Sequence, residues 1–169
     1  RTLRGAPLTV LDQPGATLAA VRAEARRIVA RHGRIGLVVL DYLQLMTPPE
    51  RRKGGTREEE VSQLSRGAKI LAGELGCAVL ALSQLNRAAD GTAPRLAHLR
   101  ESGALEQDAN AVIFLHSDVA PQEGDAVIGV DVIVAKNRSG PVGKVSTLFG
   151  RAITTFTEQR FDGPTEEDL

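Results

Sequence analysis

The sequence predicts an α/β fold with a largely parallel sheet, from the order and character of its apolar segments. Apolar residues at helical spacing alternate with short, continuous apolar runs through the first two thirds of the chain. Continuous apolar runs are typical of parallel strands that are covered on both faces. Alternation of such strands with helices builds a parallel sheet through right-handed crossovers. The later segments are strands without helices between them, which predicts antiparallel strands at one edge.

The elements are predicted in a clear order along the chain. Strands are expected at residues 7–11 (PLTVL), 35–40 (IGLVVL), 77–82 (CAVLAL), 111–116, 127–135, 144–149 and 152–157. A helix is expected at residues 17–32, ending at Gly33, and a short helix at residues 102–110. A further helix has apolar residues at 61, 64, 68, 71, 72 and 75 and ends at Gly76. Residues 47–56 and 86–95 are predicted loops, residues 1–162 one domain, and residues 163–169 a flexible tail.

Composition places the chain among ordinary globular proteins and excludes several kinds of site. The 169 residues are 42% hydrophobic and carry a formal net charge of zero, so nucleic-acid binding would need a local basic patch. Cys77 is the single cysteine, which excludes a disulfide within the chain and a cysteine-based zinc site, and we expect it to be buried. The sequence shows no signal peptide and no apolar run of membrane-spanning length, so a cytoplasmic protein without membrane contact is expected.

Polar side chains follow three of the predicted strands, at the point where each strand ends. They are Asp41, then Ser83 with Gln84, then Lys136 with Arg138. Ligands of open parallel sheets bind beyond the carboxyl ends of the strands. An acid, an amide and two cations at one edge are suited to a nucleoside triphosphate with its Mg²⁺, the acid standing where a Walker B aspartate stands. An acid at a strand end is also a common turn residue, so this pattern alone leaves both interpretations open.

Four motifs in sequence order make the pattern specific. They are DYLQLM at 41–46, ALSQLNR at 81–87, LRESGALEQDA at 99–109 and AKNRSGPVG at 135–143. Together they resemble the C-terminal motor domain of the DnaB type of bacterial replicative DNA helicase. The resemblance implies a RecA-like P-loop NTPase fold and a homo-hexameric ring that hydrolyses ATP with Mg²⁺ and moves along single-stranded DNA. It also implies a primase and a helicase loader as candidate partners.

The resemblance assigns roles to the residues at the strand ends. Asp41 matches the Walker B aspartate that holds Mg²⁺, and Gln84 matches the residue that senses the γ-phosphate. Lys136 and Arg138 match cations that reach the ATP of a neighbouring subunit, where they would stabilise charge on the transferring phosphoryl group. A solvated turn with exposed charges is the alternative for these two cations.

The same resemblance places Arg100, Glu101 and Gly103 in a loop that contacts the DNA backbone. An arginine pairs well with phosphate, and a glycine allows backbone N–H groups to approach it. Glu101 would order the loop by pairing with a basic residue. The alternative is an ordinary entry to a helix, with Ser102 as N-cap and Glu106 in its first turn. The two interpretations are compatible.

A phosphate-binding loop is missing from the sequence. The motif requires a glycine, four residues, and then Gly-Lys-Ser or Gly-Lys-Thr. The nearest match, GPVGKVS, has Val145 after Lys144 and connects two late strands, so we reject it. The resemblance implies that the P-loop lies upstream of residue 1 and that this chain is the C-terminal part of the motor, inactive alone. The alternatives are a non-catalytic DNA-binding or ring-interaction module and a RecA-like recombination ATPase.

Overall fold

A computed structural model describes residues 5–49, 55–86, 92–119, 122 and 124–158, apart from the side chains of residues 100–102. The chain divides into two compact units. The first comprises Arg1–Leu85 and Leu99–Ala109, and the second comprises Asn86–His98 and Asn110–Leu169.

The first unit is built from helices on a short parallel sheet. Its helices are α1 (Leu18–His32), α2 (Arg57–Leu75) and α3 (Gly103–Asp108), and its strands are β1 (Leu37–Leu40) and β2 (Ala78–Ala81). The two strands run parallel, with Leu37 opposite Ala78 and Leu40 opposite Ala81. A 3-10 turn at Leu43–Leu45 follows β1 directly.

Both long helices begin and end where the sequence predicts. The Thr17 hydroxyl accepts the Ala20 N–H at the start of α1, and Gly33 ends that helix with a left-handed φ of 83°. At the start of α2, Thr56 and Glu59 bond reciprocally through side chain and backbone, which is a capping box. Gly76 ends α2, also in the left-handed region. The two helices are therefore confirmed together with their terminal glycines.

The core of the first unit lies between the helices and one face of the sheet. Leu43, Leu64 and Leu71 have no exposed surface. Residues from α1, β1, the 3-10 turn and α2 surround them, namely Leu18, Leu40, Met46 and Ala68. The Ser65 hydroxyl of α2 donates to the Asp108 carboxylate of α3 at 2.8 Å, which ties the short helix to the long one.

The expected burial of both faces of β1 and β2 is wrong. Leu37, Val39 and Leu80 are 53%, 52% and 48% exposed, while Leu40, one residue away, is 4% exposed. Successive strand residues point to opposite faces, and the described helices of this unit cover one face only. Cys77, at the start of the same strand run, is half-buried rather than fully buried, and its partial burial raises the pKa of its thiol.

The second unit is an antiparallel sheet in the order β3-β4-β5-β6. Its strands are β3 (Ala111–His116), β4 (Val127–Asn137), β5 (Gly143–Gly150) and β6 (Thr155–Glu158). All four confirm predicted strands, and the α/β fold with a parallel sheet and added antiparallel strands is confirmed. The described strands form two sheets, with β3 paired antiparallel to β4 instead of parallel to the earlier strands.

One predicted strand does not form. Residues 7–11 have no regular structure, and Leu8 and Val10 are 63% and 77% exposed. A strand is stable only when a neighbour satisfies its backbone groups and its apolar side chains have a surface to cover. The predicted tail at 163–169 and parts of both predicted loops, residues 50–54 and 87–91, lie outside the described residues.

Candidate functional site

The ends of β1 and β2 bring Asp41 and Gln84 to one edge of the parallel sheet. Pairing continues past both strands, since the Leu82 N–H donates to the Leu40 carbonyl at 2.9 Å and the Leu43 N–H donates to the Leu82 carbonyl at 3.0 Å. Because the strands are parallel, their carboxyl ends meet at this edge. Asp41 follows β1 directly, Gln84 follows β2 by three residues, and both are exposed.

The Asp41 carboxylate is available to a ligand. Within the described part of the chain it has neither a hydrogen bond nor an ion pair, and the Gln84 side chain likewise has no partner there. The peptide bond between Asp41 and Tyr42 is cis. A carboxylate and an amide that follow the ends of two paired strands suit a hard cation and the phosphate oxygens around it.

Gln44 connects the two strand ends, and the sequence reasoning missed it. Its side-chain Nε2 donates to the Ser83 hydroxyl at 2.9 Å and to the Gln84 carbonyl at 3.4 Å, and its Oε1 accepts the Gln84 N–H at 3.4 Å. The Gln44 carbonyl accepts a hydrogen bond from the Arg57 guanidinium. The signal in the sequence was a single amide among apolar residues, three positions after the strand-end acid.

Lys136 and Arg138 lie in the second unit, at the end of β4. The register between β3 and β4 shifts between Val112 and Ile113, so that Val112 pairs with Lys136 and Ile113 with Val134. A bulge of this kind bends a strand and redirects the side chains that follow it. Lys136 is half-buried and Arg138 is exposed.

The turn that carries Arg138 is held by the side chain of Asn137. Its amide nitrogen donates to the Pro141 carbonyl and its amide oxygen accepts the Ser139 N–H, both at 3.2 Å. A Cβ atom at Gly140 would lie 2.8 Å from that amide nitrogen, so a side chain there would displace the Asn137 amide. The Arg138 backbone N–H donates to the Asn110 carbonyl at 2.8 Å, which anchors the turn to the start of β3.

The rejected P-loop match is a hairpin turn, as predicted. It connects β4 to the antiparallel β5. Lys144 bonds to the Asp131 carboxylate at 2.8 Å, and the Ser146 hydroxyl donates to the same carboxylate at 2.7 Å. Lys144, and then Ser146, lower the pKa of Asp131, while Asp131 raises the pKa of Lys144. This lysine is therefore engaged across the sheet.

The predicted DNA-contact segment begins in a 3-10 helix, Leu96–Ser102, that leads directly into α3. The side chains of Arg100, Glu101 and Ser102 lie outside the described residues. Gly103 is exposed, and a Cβ atom there would meet nothing within 4 Å. Its roles in DNA contact and in helix entry both stay predictions.

The described residues contain no group of three or more His, Cys, Asp or Glu side chains placed to hold a metal ion. None of the described helices combines the length and the apolar character needed to span a bilayer.

Comparison with known proteins decides the family. The family model for the DnaB-like helicase C-terminal domain matches residues 1–158. This chain belongs to that family. A replicative DNA helicase DnaB of Leifsonia xyli is 43% identical over 160 residues, which is 92% of this chain and 34% of that protein. The replicative DNA helicase DnaC of Bacillus subtilis is 38% identical over 167 residues, or 95% of this chain and 36% of that protein.

Two solved structures confirm the RecA-like helicase fold. One, described as an ATPase domain, superposes with a TM-score of 0.79 at 36% identity, covering 90% of this chain and 55% of that one. A DnaB-like replicative helicase, described with its interactions with primase, gives a TM-score of 0.78 at 36% identity, covering 90% of this chain and 38% of that one. The chain spans about a third of the length of the curated relatives it matches.

Proposed function

We propose that this chain is part of the ATP-hydrolysing motor of a replicative DNA helicase, which moves along single-stranded DNA and unwinds duplex DNA at the replication fork. The observation that carries the proposal is that Asp41 and Gln84 follow the carboxyl ends of two paired parallel strands within a DnaB-like helicase domain. Both side chains are exposed and point to no competing partner within the described residues.

The residues at this edge fit Mg²⁺-bound ATP. Mg²⁺ binds oxygen ligands and keeps several of its waters, so one exposed carboxylate, Asp41, suffices to hold it through those waters. Gln84 has both a donor and an acceptor and is able to follow the γ-phosphate oxygens. Magnesium-bound ATP, when present, supplies phosphoryl transfer to water, and the protein contributes positioning and charge.

Lys136 and Arg138 serve the ATP site of a neighbouring subunit in this proposal. Arg138 is exposed, on a turn that the Asn137 side chain holds through two hydrogen bonds. A rigid turn suits a cation that must meet another protomer's phosphate, since little conformational freedom is lost on contact. The assembly is a homo-hexamer with single-stranded DNA contacted by Arg100, Glu101 and Gly103, and with a primase and a helicase loader as partners.

The test uses the natural gene product that contains this sequence, and it mixes two variants. Arg138→Ala subunits and Asp41→Ala subunits are each expected to lose ATPase activity, by about 10³-fold or more for a trans-acting arginine. In a mixed ring, some interfaces pair an intact Asp41 with an intact Arg138 from the next subunit, so part of the turnover should return. Arg34→Ala, at an exposed arginine of the first unit, is the matched control and should keep full activity.

Two outcomes would contradict the proposal. A gene product without ATP-dependent unwinding of a forked duplex would favour the non-catalytic binding module, and strand exchange in place of unwinding would favour a recombination ATPase. A mixed assembly confirmed by mass measurement, yet without regained turnover, would remove the trans role of Arg138 while leaving the helicase assignment standing.

A further inference from the structure

We infer that Gln44 is a positioning residue, whose side-chain amide holds the Gln84 backbone and thereby sets where the Gln84 side chain lies relative to Asp41. The inference rests on the proposed function of Asp41 and Gln84, and it assigns a task to a residue that the motif comparison left without one.

The contacts match the polarity of the backbone groups they hold. The Gln84 backbone offers one donor and one acceptor, and the Gln44 amide meets both, with Oε1 on the N–H and Nε2 on the carbonyl, each at 3.4 Å. A third bond, from Nε2 to the Ser83 hydroxyl at 2.9 Å, fixes the amide from the side. The Ser83 hydroxyl in turn lies 3.3 Å from the Gln84 carbonyl. An amide that bonds both the N–H and the carbonyl of one residue takes the place of the bonds that a neighbouring strand would make to that residue.

The bonds from the Gln44 side chain lie beyond the point where backbone bonds between the two strand ends stop. Among the described residues, the last backbone bond between the strand ends runs from the Leu43 N–H to the Leu82 carbonyl. Beyond Leu82, the described bonds that hold residues 83 and 84 to the β1 side come from the Gln44 side chain. Gln84 is exposed, so the hydrogen bonds from Gln44, and not burial, locate its backbone.

Gln44 is itself held firmly, which a positioning residue requires. It lies in the 3-10 turn between Leu43, which has no exposed surface, and Met46, which is 9% exposed. Its carbonyl accepts the Arg57 guanidinium, and Arg57 also pairs with Glu60 at 2.6 Å within the first turn of α2. The hydrogen bonds from Gln44 therefore couple the position of the exposed Gln84 to the buried core and to the N-terminus of α2.

The structural test measures hydrogen exchange in the natural gene product, over the peptide that contains residues 82–86. Gln44→Met keeps the length of the side chain but removes both polar ends, and it should speed exchange there by about two- to tenfold, the range for one net hydrogen bond. Gln44→Glu keeps the acceptor for the Gln84 N–H and loses the donor, so its exchange should fall between wild type and Gln44→Met. Gln13→Met, at an exposed glutamine, is the matched control and should change nothing.

The functional test separates positioning from nucleotide binding. Misplacing a group by about 1 Å costs on the order of 100-fold in rate, so Gln44→Met should lower kcat for ATP by about tenfold or more with KM within about twofold. Gln44→Glu should recover part of that loss. Ser83→Ala removes the 2.9 Å bond from the opposite side and should give the same kcat pattern at smaller size. If Gln44→Met does not fold, the kcat and KM of Ser83→Ala test the inference in its place.

Several results would overturn the inference. They are unchanged exchange at residues 82–86 in Gln44→Met, faster exchange spread equally over α2, and a raised KM with kcat unchanged. The helicase assignment fails differently, through a wild-type gene product that neither hydrolyses ATP nor unwinds DNA, whatever the exchange of the Gln84 amide.

Discussion

Replacing Gly67 of α2 by alanine sets helix propensity against packing, and the structure says which effect wins. Alanine is more favourable than glycine inside a helix by about 1 kcal/mol. A Cβ atom at Gly67, however, would lie 2.3 Å from the Leu18 Cδ1 atom, far inside van der Waals contact. Leu18 is 5% exposed and belongs to the main core cluster, so its methyl group moves only by pushing on buried neighbours.

The same helix supplies a control in which only propensity acts. Gly73 also lies within α2, is exposed, and would place a Cβ atom in open space. Gly73→Ala should therefore stabilise the chain by up to about 1 kcal/mol. Overpacking a core costs roughly 1–3 kcal/mol, so Gly67→Ala should end about 0–2 kcal/mol less stable than wild type. The difference between the two variants, about 1–3 kcal/mol, isolates the steric cost because the propensity gain cancels.

Urea unfolding of the 169-residue chain, followed by helix circular dichroism, measures this difference. A shift of about 2–4 °C in Tm per kcal/mol provides a second readout. Leu18→Val shortens the side chain that collides, so the Leu18→Val/Gly67→Ala double variant should lose less stability than the two single variants added together. Equal stabilisation by Gly67→Ala and Gly73→Ala, with additive double-variant behaviour, would show that Leu18 does not pack over Gly67.

Three further predictions concern charge and ligands. Asp131→Asn should lower Tm at pH 7, with Lys144→Met as the partner control. Because the folded pKa of Asp131 is lowered, the contribution of the ion pair to stability is present above the unfolded carboxyl pKa, about 3.9. It is lost as pH falls through the folded pKa. The Tm values of Asp131→Asn and of the wild type should therefore converge towards pH 2. In the natural gene product, Arg100→Ala should flatten the slope of log K against log salt for single-stranded DNA by about 0.7, and an unchanged slope would place Arg100 away from the phosphates. The isolated 169-residue chain, which has no P-loop in its sequence, should show no ATP turnover and only weak binding by calorimetry. Submicromolar binding, or turnover that depends on Asp41, would contradict this.

Local signals in the sequence predicted most of the elements. The periodicity of α1 and α2, with Gly33 and Gly76 after their ends, depends on neighbouring residues alone, and the structure confirms both helices. Burial of β1 on both faces depends on what packs there, and the same apolar run fits a strand that is covered on one face. The failed strand at 7–11 has the same cause, because an apolar run does not specify its partner.

The site was predictable as far as topology determines it. Parallel strands bring their carboxyl ends to one edge, so the approach of Asp41 and Gln84 followed from strand order. The hydrogen bond from Gln44 to Ser83 joins the side chains of residues 39 positions apart, and no local sequence pattern predicts such a contact. Lys144 was dismissed correctly because Val145 lacks the hydroxyl that the P-loop motif needs after its lysine, although its partner Asp131 could not be foreseen.

The two strand ends hold their candidate site side chains by different means, and this difference explains why Gln84 needs the hydrogen bonds from Gln44 whereas Asp41 has no such support among the residues that the structure describes. Asp41 is a single exposed acid between Leu40, 4% exposed, and Leu43, fully buried, so the core holds the backbone on both sides of the carboxylate. An acid placed this way avoids the cost of burial and still has little freedom to move. Gln84 comes after Leu82, which is 40% exposed, and Ser83, which is half-buried, so no buried residue fixes the backbone just before it. In the proposed function Asp41 holds a cation and Gln84 senses the γ-phosphate, so each side chain needs a set position. Packing sets the position of Asp41, and hydrogen bonds of 2.9–3.4 Å from Gln44 and its partners set that of Gln84.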